Sequence, residues 1–511
     1  MSTSYDRYTW HQTSPEIWQR DVDEIELFYY SLAKRFEGSG RMFFAMTGHL
    51  SLSVELHGQT SDVARQRIKA ALKRGWQALR YEHPTIASQV SHNVTTGHAV
   101  KTYHLCNSSE KLDLWLGETL VEIPGGQTGE EWANSDPPAP KLPTMFLLEL
   151  TDNTSDFTTT RIDLVFRSPH EIVDGIGTLH MFNNFTKLVA NAYKDGDAFK
   201  LPSLDGTETE NLSPPFRVAA RVPFELTDRQ QKHLAEQNAH KAAAGKDEGD
   251  IRVIGLHFDE QGPKVPGVHQ RVALDFSQSE TKFILTACKK LGATVTHAFH
   301  AAIALSVRDL QERTAHAQKV RYVNYILRNE RKSCDPPYNS PSHAVSVYHS
   351  VSGRALTVDM VVPAATSTTG PADTAQEFHS AVNKIKAFYN EVRDDADHYV
   401  LCLPIWAAGM SELPQSTSPP PIPAPNAKPT VSISSMGSVD NIIEQRHGDI
   451  AVHNPWVTGE ELGTGLGLFL GTFEGKLCLS AAYNDAWHSK YEVLDFLQRC
   501  TYTVRAGLGA Y

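Results

Sequence analysis

Residues 161–193 constrain the fold more than any other part of the sequence. They open with RIDLVFR, in which Ile162, Leu164 and Phe166 occupy alternate positions, pass through the polar stretch SPHEIVDG, and continue with apolar residues spaced three or four apart. Alternation is typical of a strand with one buried face, and the longer spacing is typical of an amphipathic helix. A strand that leads through a short loop into a helix predicts a mixed α/β fold.

Similar patterns lie on both sides of a weaker, polar stretch. The first side holds a predicted helix over SDVARQRIKAALKRGWQALRYEH and a strand over TMFLLEL. The second side holds two helices in SETKFILTACKKLGATVTHAFHAAIALSV, a strand over KVRYVNYILRNER and a hairpin over LFLGTFEGKLCLSAAYN. We therefore predict a first half at residues 1–215, a crossover linker at 216–270 and a second half at 271–511. The proline-rich stretch at 414–429 is predicted to be an irregular loop, because proline lacks an amide hydrogen.

Composition disfavours several classes of protein. The chain has 511 residues and a formal net charge of -11, and it has no basic stripe, so a nucleic-acid partner is not expected. It has no run of apolar residues long enough to predict a membrane span. Its 6 cysteines are scattered without a CxxC pair, which indicates neither a zinc ribbon nor a disulfide framework. We expect a soluble cytoplasmic protein.

The stretch SPHEIVDGIG allows three interpretations. His170 and Asp174 could bind zinc, the segment could be a plain polar turn, or His170 could be a catalytic base that an acid supports. The zinc interpretation needs both side chains on one face of a continuous helix, and Pro169 and Gly175 interrupt such a helix. For the third interpretation, we expect His170 to lie where the strand ends and to face a cleft. Gly175 is then expected to permit the tight backbone that Asp174 needs to fold back.

His170, Asp174 and Gly175 form an HxxxDG motif, and the motif does not stand alone. It resembles the active-site motif of the acyl-CoA-dependent acyltransferases related to chloramphenicol acetyltransferase, which include plant BAHD enzymes and peptide-synthetase condensation domains. Further stretches are similar in the same order: ALRYEHPTIASQV, KKLGATVTHAFHAAIALSV, VRYVNYILRNERK and LCLSAAYNDAW. The resemblance covers nearly the whole chain. It implies an α/β fold of two chloramphenicol-acetyltransferase-like mixed-sheet domains, with the active site in a tunnel between them.

The resemblance also implies roles for the motif residues. His170 would be the general base that takes the proton of an alcohol as its oxygen attacks the thioester directly, with no acyl-enzyme. Asp174, together with Gly175, would be structural support and would turn away from the substrate to pair with an arginine. Arg328 is the position onto which we carry that arginine, with Arg331 as the alternative.

The remaining implications concern the oxyanion and the ligands. Ser434 or Ser435 in SISSMG is expected, by position, to lie on the oxyanion and CoA side of the site. Acetyl-CoA is implied as co-substrate, with no bound cofactor and no metal, and a small hydrophobic alcohol is implied as acceptor. We expect a monomer.

Two departures narrow the resemblance. Pro169 stands where condensation domains carry a second histidine, and no stretch matches the C-terminal Asp-Phe-Gly-Trp-Gly motif of BAHD enzymes. In length, inserts and motifs the chain is most similar to the fungal trichothecene 15-O-acetyltransferases of mycotoxin biosynthesis, which implies acetylation of a sesquiterpenoid, at the C-15 hydroxyl of a trichothecene. Two alternatives stay open: a condensation-type acyltransferase that uses a carrier-bound acyl group, and a non-catalytic terpenoid-binding member of the family.

Overall fold

A computed structural model describes residues 4–150, 158–262, 265–367 and 371–509, with the side chains of residues 371–373 left out. The strands of these residues are β1 (His11–Ser14), β2 (Ile17–Asp21), β3 (Met46–Glu55), β4 (Ser88–His92), β5 (Ala99–His104), β6 (Leu120–Ile123), β7 (Thr144–Glu149), β8 (Thr159–Ser168), β9 (Ile251–Ile254), β10 (His269–Asp275), β11 (Gln318–Asn324), β12 (Leu327–Asn329), β13 (His349–Val351), β14 (Leu356–Val362), β15 (Val431–Ser438), β16 (Arg446–His447), β17 (Ile450–Gly459), β18 (Leu466–Phe473) and β19 (Lys476–Asn484).

The α-helices of the same residues alternate with these strands along the chain. They are α1 (Glu24–Phe36), α2 (Ser61–Glu82), α3 (Ser109–Thr119), α4 (Gly129–Ala133), α5 (Gly175–Asp195), α6 (Phe216–Ala219), α7 (Asp228–Ala244), α8 (Gln278–Lys290), α9 (Val295–Asp309), α10 (Pro371–Asp394), α11 (His398–Ala407) and α12 (Lys490–Gly507). Short 3-10 turns lie between several of them. The fold is therefore mixed α/β, as the sequence predicts.

A six-stranded sheet organises the first half of the chain. Its strand order is β16-β17-β3-β8-β7-β6, and only the β6–β7 pair is parallel. Helices α2 and α5 pack together beside it around Trp76, Phe182 and Phe185. The strand β17 comes from the second half of the chain, yet it pairs with β3 along nearly its whole length. The sheet that carries the HxxxDG loop is thus completed by a distant segment.

Smaller mixed sheets organise the second half. One has the order β10-β19-β18-β15, with β15 and β18 parallel, and another has the order β14-β11-β9. Their core is built on α9, in which every residue from His297 to Arg308 is buried. A continuous apolar cluster joins this helix to α10, α12 and the strands of both sheets. The core beside the six-stranded sheet also contains residues of the second half, among them Ala344, Val439 and Val457.

Several local predictions can be compared with these elements. The two helices predicted in 279–307 are confirmed as α8 and α9, and Thr294 caps the second with its side chain. The hairpin turn is confirmed at Glu474 and Gly475, which both have positive φ. The stretch 414–429 contains no helix or strand, as expected. The single strand predicted over KVRYVNYILRNER is wrong, because the chain breaks at Tyr325 and continues as the short strand β12 in a different sheet.

The helices were compared with the length and apolar content of a membrane span. Among the residues that the structure describes, no helix combines the length and apolar content that crossing a bilayer requires.

Candidate active site

The HxxxDG segment lies between the central strand β8 and the helix α5. Strand β8 ends at Ser168, a tight turn follows, and α5 begins at Gly175. Asp174 caps the helix, since its side chain accepts a hydrogen bond of 2.6 Å from the main-chain nitrogen of Gly177. His170 and Asp174 therefore precede the helix and do not share a helical face, which removes the geometry that the zinc interpretation required.

Asp174 is the centre of a buried polar cluster. Its Oδ2 accepts hydrogen bonds from Nη1 of Arg331 (3.0 Å) and from the main-chain nitrogen of Tyr348 (2.8 Å), and it lies 3.8 Å from Nδ1 of His349. Burial alone would raise the pKa of this carboxyl, but Arg331 and then His349 outweigh it and hold the pKa well below its usual range. Asp174 is thus an ionised brace that ties the loop to the second half of the chain.

The expectation that Arg328 pairs with Asp174 is wrong. Arg328 instead donates from Nη1 to the carbonyl of Val392 (3.2 Å) and lies 3.2 Å from Glu330. The cause is the short strand β12, which ends at Asn329. The 3-10 turn that follows begins at Arg331 and directs its guanidinium toward Asp174. The alternative partner, Arg331, is the one that forms the ion pair.

Arg331 and Arg328 should therefore differ in how much each contributes to the free energy of unfolding. Arg331→Met is expected to lower the free energy of unfolding by ~3–5 kcal/mol, because it leaves the carboxylate of Asp174 buried without its cation. Arg328→Met is expected to cost at most about 1–2 kcal/mol, since Glu330 keeps hydrogen bonds from Ser333 and Ser350. Urea unfolding of both variants measures the difference. Equal losses, or a larger loss for Arg328→Met, would contradict the assignment.

The expectation that the backbone at Asp174 requires glycine at position 175 is also wrong. Gly175 is the first residue of α5 and is not among the residues with positive φ, and a Cβ placed there would meet Val457 at an ordinary 3.4 Å. The demanding position is Gly177. A Cβ on Gly177 would lie 2.3 Å from the carbonyl oxygen of Ala344 and 2.8 Å from Nη2 of Arg331. The glycine that the brace requires is therefore the second one in DGIG.

A second buried network supports the loop from the other side. Lys101 donates from Nζ to the main-chain oxygen of Glu171 (2.7 Å), next to His170. Lys101 and Arg20 both bind the carboxylate of Glu26, and all three side chains are at most 3% exposed. The turn is therefore fixed by a lysine on one side and by an ionised carboxylate on the other.

His170 is held as a neutral imidazole at the wall of a cavity. Its ring stacks on Tyr29, with centroids 3.7 Å apart and planes 5° from parallel. Burial lowers the pKa of His170 to about 3, and His349 lowers it further, while its own main chain and Asp174 act in the opposite direction. A neutral histidine can accept a proton, which is the property that a general base needs.

The cavity beside His170 has a volume of about 380 Å³. His170, Asp174, Gly175 and Arg328 all line it, together with the serines described below. Its apolar walls include Phe28, Phe44, Met46, Ile405, Trp406 and Leu468. These come from both halves of the chain. The cavity is thus a largely apolar space with the imidazole of His170 at its wall, suited to a small hydrophobic molecule.

Ser434 and Ser435 lie on strand β15. Both line the same cavity as His170. Ser435 accepts a hydrogen bond of 2.9 Å from the hydroxyl of Thr296, in the first turn of α9, and Ser434 is half-buried. The structure therefore brings the serines and the histidine to one space.

A second cavity of about 570 Å³ adjoins the first. The side chains of Met436 and Phe469 line both cavities, so they form the wall between them. The second cavity is more polar and carries three basic residues, Arg161, Arg271 and Lys476, together with two acidic ones, Asp275 and Glu474. The two neighbouring cavities thus differ in chemistry, and residues of the HxxxDG loop line the first.

Metal ligation can be assessed from the donor groups. Among the described residues, two groups of three side chains bring their donor atoms within 4.8 Å of one another, one around His57 and one around His233. Neither group contains His170 or Asp174. The carboxylate of Asp174 is already occupied by Arg331 and by the main chain of Tyr348.

Sequence reasoning missed Tyr29 and His349. Tyr29 belongs to α1 and His349 begins β13, and they are 320 residues apart in the sequence. Each lies in an ordinary amphipathic or strand pattern, so no local signal marks either as part of the site. Only the folded chain brings them beside His170.

Comparisons with known proteins agree with this geometry. No family model matches the chain. The acetyltransferase pigO of Monascus ruber is 25% identical over 488 residues, which cover 94% of each chain. The solved structure of the trichothecene 15-O-acetyltransferase TRI3 of Fusarium sporotrichioides superposes with a TM-score of 0.76 at 19% identity, covering 99% of both chains. The first condensation domain of the calcium-dependent antibiotic synthetase superposes with a TM-score of 0.58 at 13% identity, covering 96% of both. The chain therefore has the fold of these two-domain acyltransferases, along nearly its whole length.

Proposed function

We propose that this protein is an acetyl-CoA-dependent O-acetyltransferase that esterifies a hydroxyl group of a small hydrophobic secondary metabolite. The observation that carries the proposal is a neutral histidine, His170, held rigidly at the wall of an apolar cavity between the two halves. The names of the similar proteins, an acetyltransferase and a 15-O-acetyltransferase, support the same reaction.

The proposed reaction is one direct acyl transfer. The acceptor hydroxyl gives its proton to His170 as its oxygen attacks the thioester carbonyl, and a new carbon–oxygen bond forms. The tetrahedral oxyanion accepts a hydrogen bond from Ser434 or Ser435, which is the kind of stabilisation that acyl transfer needs. The carbon–sulfur bond then breaks, and the imidazolium returns the proton to the thiolate of CoA. Asp174 and Arg331 do not touch the substrates but keep the loop in place.

The two cavities support separate approaches for the two substrates. The second cavity carries three basic residues, Arg161, Arg271 and Lys476, against two acidic ones, Asp275 and Glu474, so the CoA phosphates would pair with the basic residues. The first cavity is predominantly apolar and suits the alcohol. Met436 and Phe469 lie where the two spaces meet, so the thioester would pass them to reach His170.

For the acceptor we propose a hydroxylated sesquiterpenoid, with the C-15 hydroxyl of a trichothecene as the specific case. The similarity to TRI3 in fold supports the class, and the apolar walls support a compact, poorly charged molecule. The similarity to pigO makes other fungal secondary metabolites with a free hydroxyl the natural comparison set.

The deciding experiment incubates the purified protein with acetyl-CoA and a panel of alcohols that includes 15-hydroxylated trichothecenes and hydroxylated polyketides. Free CoA is measured with a thiol reagent, and products are identified by mass spectrometry. We expect stoichiometric acetyl ester and CoA for at least one alcohol. Transfer only from a carrier-bound acyl group would identify a condensation-type enzyme instead. Binding of the alcohols without turnover would identify a non-catalytic terpenoid-binding protein.

The depressed pKa of His170 predicts an unusual pH profile. An ordinary histidine base loses activity as the pH falls through about 6.5, whereas His170, with a pKa of about 3, stays neutral well below that value. We therefore expect kcat/KM, which reports the free enzyme, to lack an acid limb near pH 6.5.

The same low pKa also makes the free energy of unfolding depend on pH in a definite direction. The unfolded chain binds the proton first, so His170 lowers stability as the pH falls from about 6.5 toward its folded value. Initial rates between pH 5 and 9, with fluorescence to verify that the protein stays folded, provide the check, and an acid limb centred near 6.5 would contradict the expectation.

A further inference from the structure

Tyr29 makes the closest ring contact to His170. The two rings lie face to face at 3.7 Å and 5°, which places the imidazole plane flat against the phenol. Tyr29 is itself 6% exposed and is packed by Phe28 and Trp406. An imidazole that lies flat on a fixed ring loses the freedom to tilt, so the position of Tyr29 determines the plane of His170.

Tyr29 is fixed in turn by a hydrogen bond at its far end. Its hydroxyl lies 2.8 Å from Nε2 of His349, and Nδ1 of His349 lies 3.8 Å from Oδ2 of Asp174. When the phenol donates to Nε2, the ring proton of His349 resides on Nδ1 and points toward the ionised carboxylate. The opposite tautomer would direct a lone pair at a negative charge. The three side chains thus lie in series, Tyr29 to His349 to Asp174.

We propose that Tyr29, tethered through His349 to Asp174, is a positioning residue that sets the plane of the His170 imidazole for proton transfer. The inference rests on the proposed function and adds residues that the HxxxDG motif does not contain. Asp174 then acts on the site twice: its ion pair with Arg331 ties the loop to the second half, and its charge, 3.8 Å from Nδ1, attracts the histidine that bonds to Tyr29.

Three single variants and one double variant test the tether. Tyr29→Leu removes the stacking ring and is expected to lower kcat by ~100-fold, as for a misplacement of about 1 Å. Tyr29→Phe keeps the ring but loses the tether, and so does His349→Phe, so each is expected to lower kcat by about fivefold, the effect of one net hydrogen bond. The double variant Tyr29→Phe/His349→Phe should be no slower than either single variant, because both remove the same interaction. The KM for acetyl-CoA should stay within about twofold, because positioning acts on the chemical step.

Helix α1 offers a matched control at the next residue. The hydroxyl of Tyr30 lies 2.9 Å from Nδ1 of His92, so this is a second, half-buried tyrosine–histidine pair. Tyr30 does not line the cavity of His170. Tyr30→Phe therefore removes the same kind of hydrogen bond and is expected to leave kcat unchanged.

A spectroscopic signature separates positioning from a general structural role. In protein labelled with carbon-13 at histidine, the ring protons of His170 should be shifted upfield by the face of Tyr29, and His170→Ala identifies the signal. Tyr29→Leu should abolish that shift, and Tyr29→Phe should keep it.

A Tyr29→Leu protein that keeps kcat within about twofold or keeps the shift would overturn the inference. Should Tyr29→Leu fail to fold, wild-type kcat in both Tyr29→Phe and His349→Phe would overturn it. Absence of acetyl transfer by the wild-type protein would overturn the proposed function instead, and the ring shift would still report the stacking.

Discussion

Replacing His170 with alanine is expected to lower the rate of acetyl transfer by ~10²–10⁴-fold, the contribution of a positioned general base. The side chain borders a cavity and makes its main contact with Tyr29, so its removal should shift the melting temperature by only about 3 °C or less. Steady-state rates with acetyl-CoA and the accepted alcohol give the first quantity, and thermal unfolding gives the second. Binding of CoA should be retained, because His170 does not line the cavity proposed for CoA.

His83 supplies a matched control for His170. Burial lowers the pKa of His83 to about 3 as well, but this side chain contacts Asn184 and does not line the cavity. His83→Gln is expected to leave the turnover unchanged. Near-normal turnover by a folded His170→Ala protein would rule out the proposed mechanism, and an equal loss in His83→Gln would show that any buried histidine has the same effect.

Replacing Asp174 is expected to cost activity and stability together. In Asp174→Ala the guanidinium of Arg331 stays buried without its anion, the main-chain nitrogen of Tyr348 loses its acceptor, and α5 loses its cap. The loss in the free energy of unfolding should be ~3–5 kcal/mol for the broken buried pair, and the missing cap adds about 1 kcal/mol. Turnover should fall because His170 loses both the fixed loop and the anchored ring of Tyr29. Urea unfolding and steady-state kinetics on the same preparations measure the two effects.

Asp174→Asn separates the contribution of the ion pair with Arg331 from that of the helix cap. The amide oxygen can still cap α5, but the side chain has no charge for Arg331, so this variant should recover the capping contribution alone. Loss of turnover at an unchanged free energy of unfolding, in either variant, would contradict the bracing role and point to a direct part in the chemistry.

The sequence predicts the motif but not all of its partners. HxxxDG identifies His170 and Asp174, and the strand and helix around them follow from alternation and helical spacing. The choice between Arg328 and Arg331 depends on where β12 ends, and a break at Tyr325 cannot be read from the continuous apolar pattern of VRYVNYILRN. Likewise, the need for glycine falls on Gly177, because the carbonyl of Ala344 approaches it from another element.

Contacts between segments that are distant in the sequence are harder to predict from it. Tyr29 and His349 look like ordinary buried aromatic positions until α1 and β13 are placed beside the loop. The pairing of β17 with β3 is equally hard to predict, because nothing in the stretch HGDIAVHNPWVTG indicates that it joins the sheet of the first half. Local pattern thus predicts the elements, while contacts between distant segments determine which side chains reach His170.

The pairing of β17 with β3 has a consequence for how this protein is made. Ser53 and His453 touch across that pair although 400 residues separate them. A ribosome therefore releases most of the polypeptide before the first sheet can close, and until then β3 presents an unpaired edge that invites association with other chains. A fragment that stops before residue 450 lacks β17 and also β18, β19 and α12, so it should misassemble, and supplying residues 450–511 in trans should restore the fold. The protein's two halves are thus interdependent during biosynthesis, long before any substrate arrives.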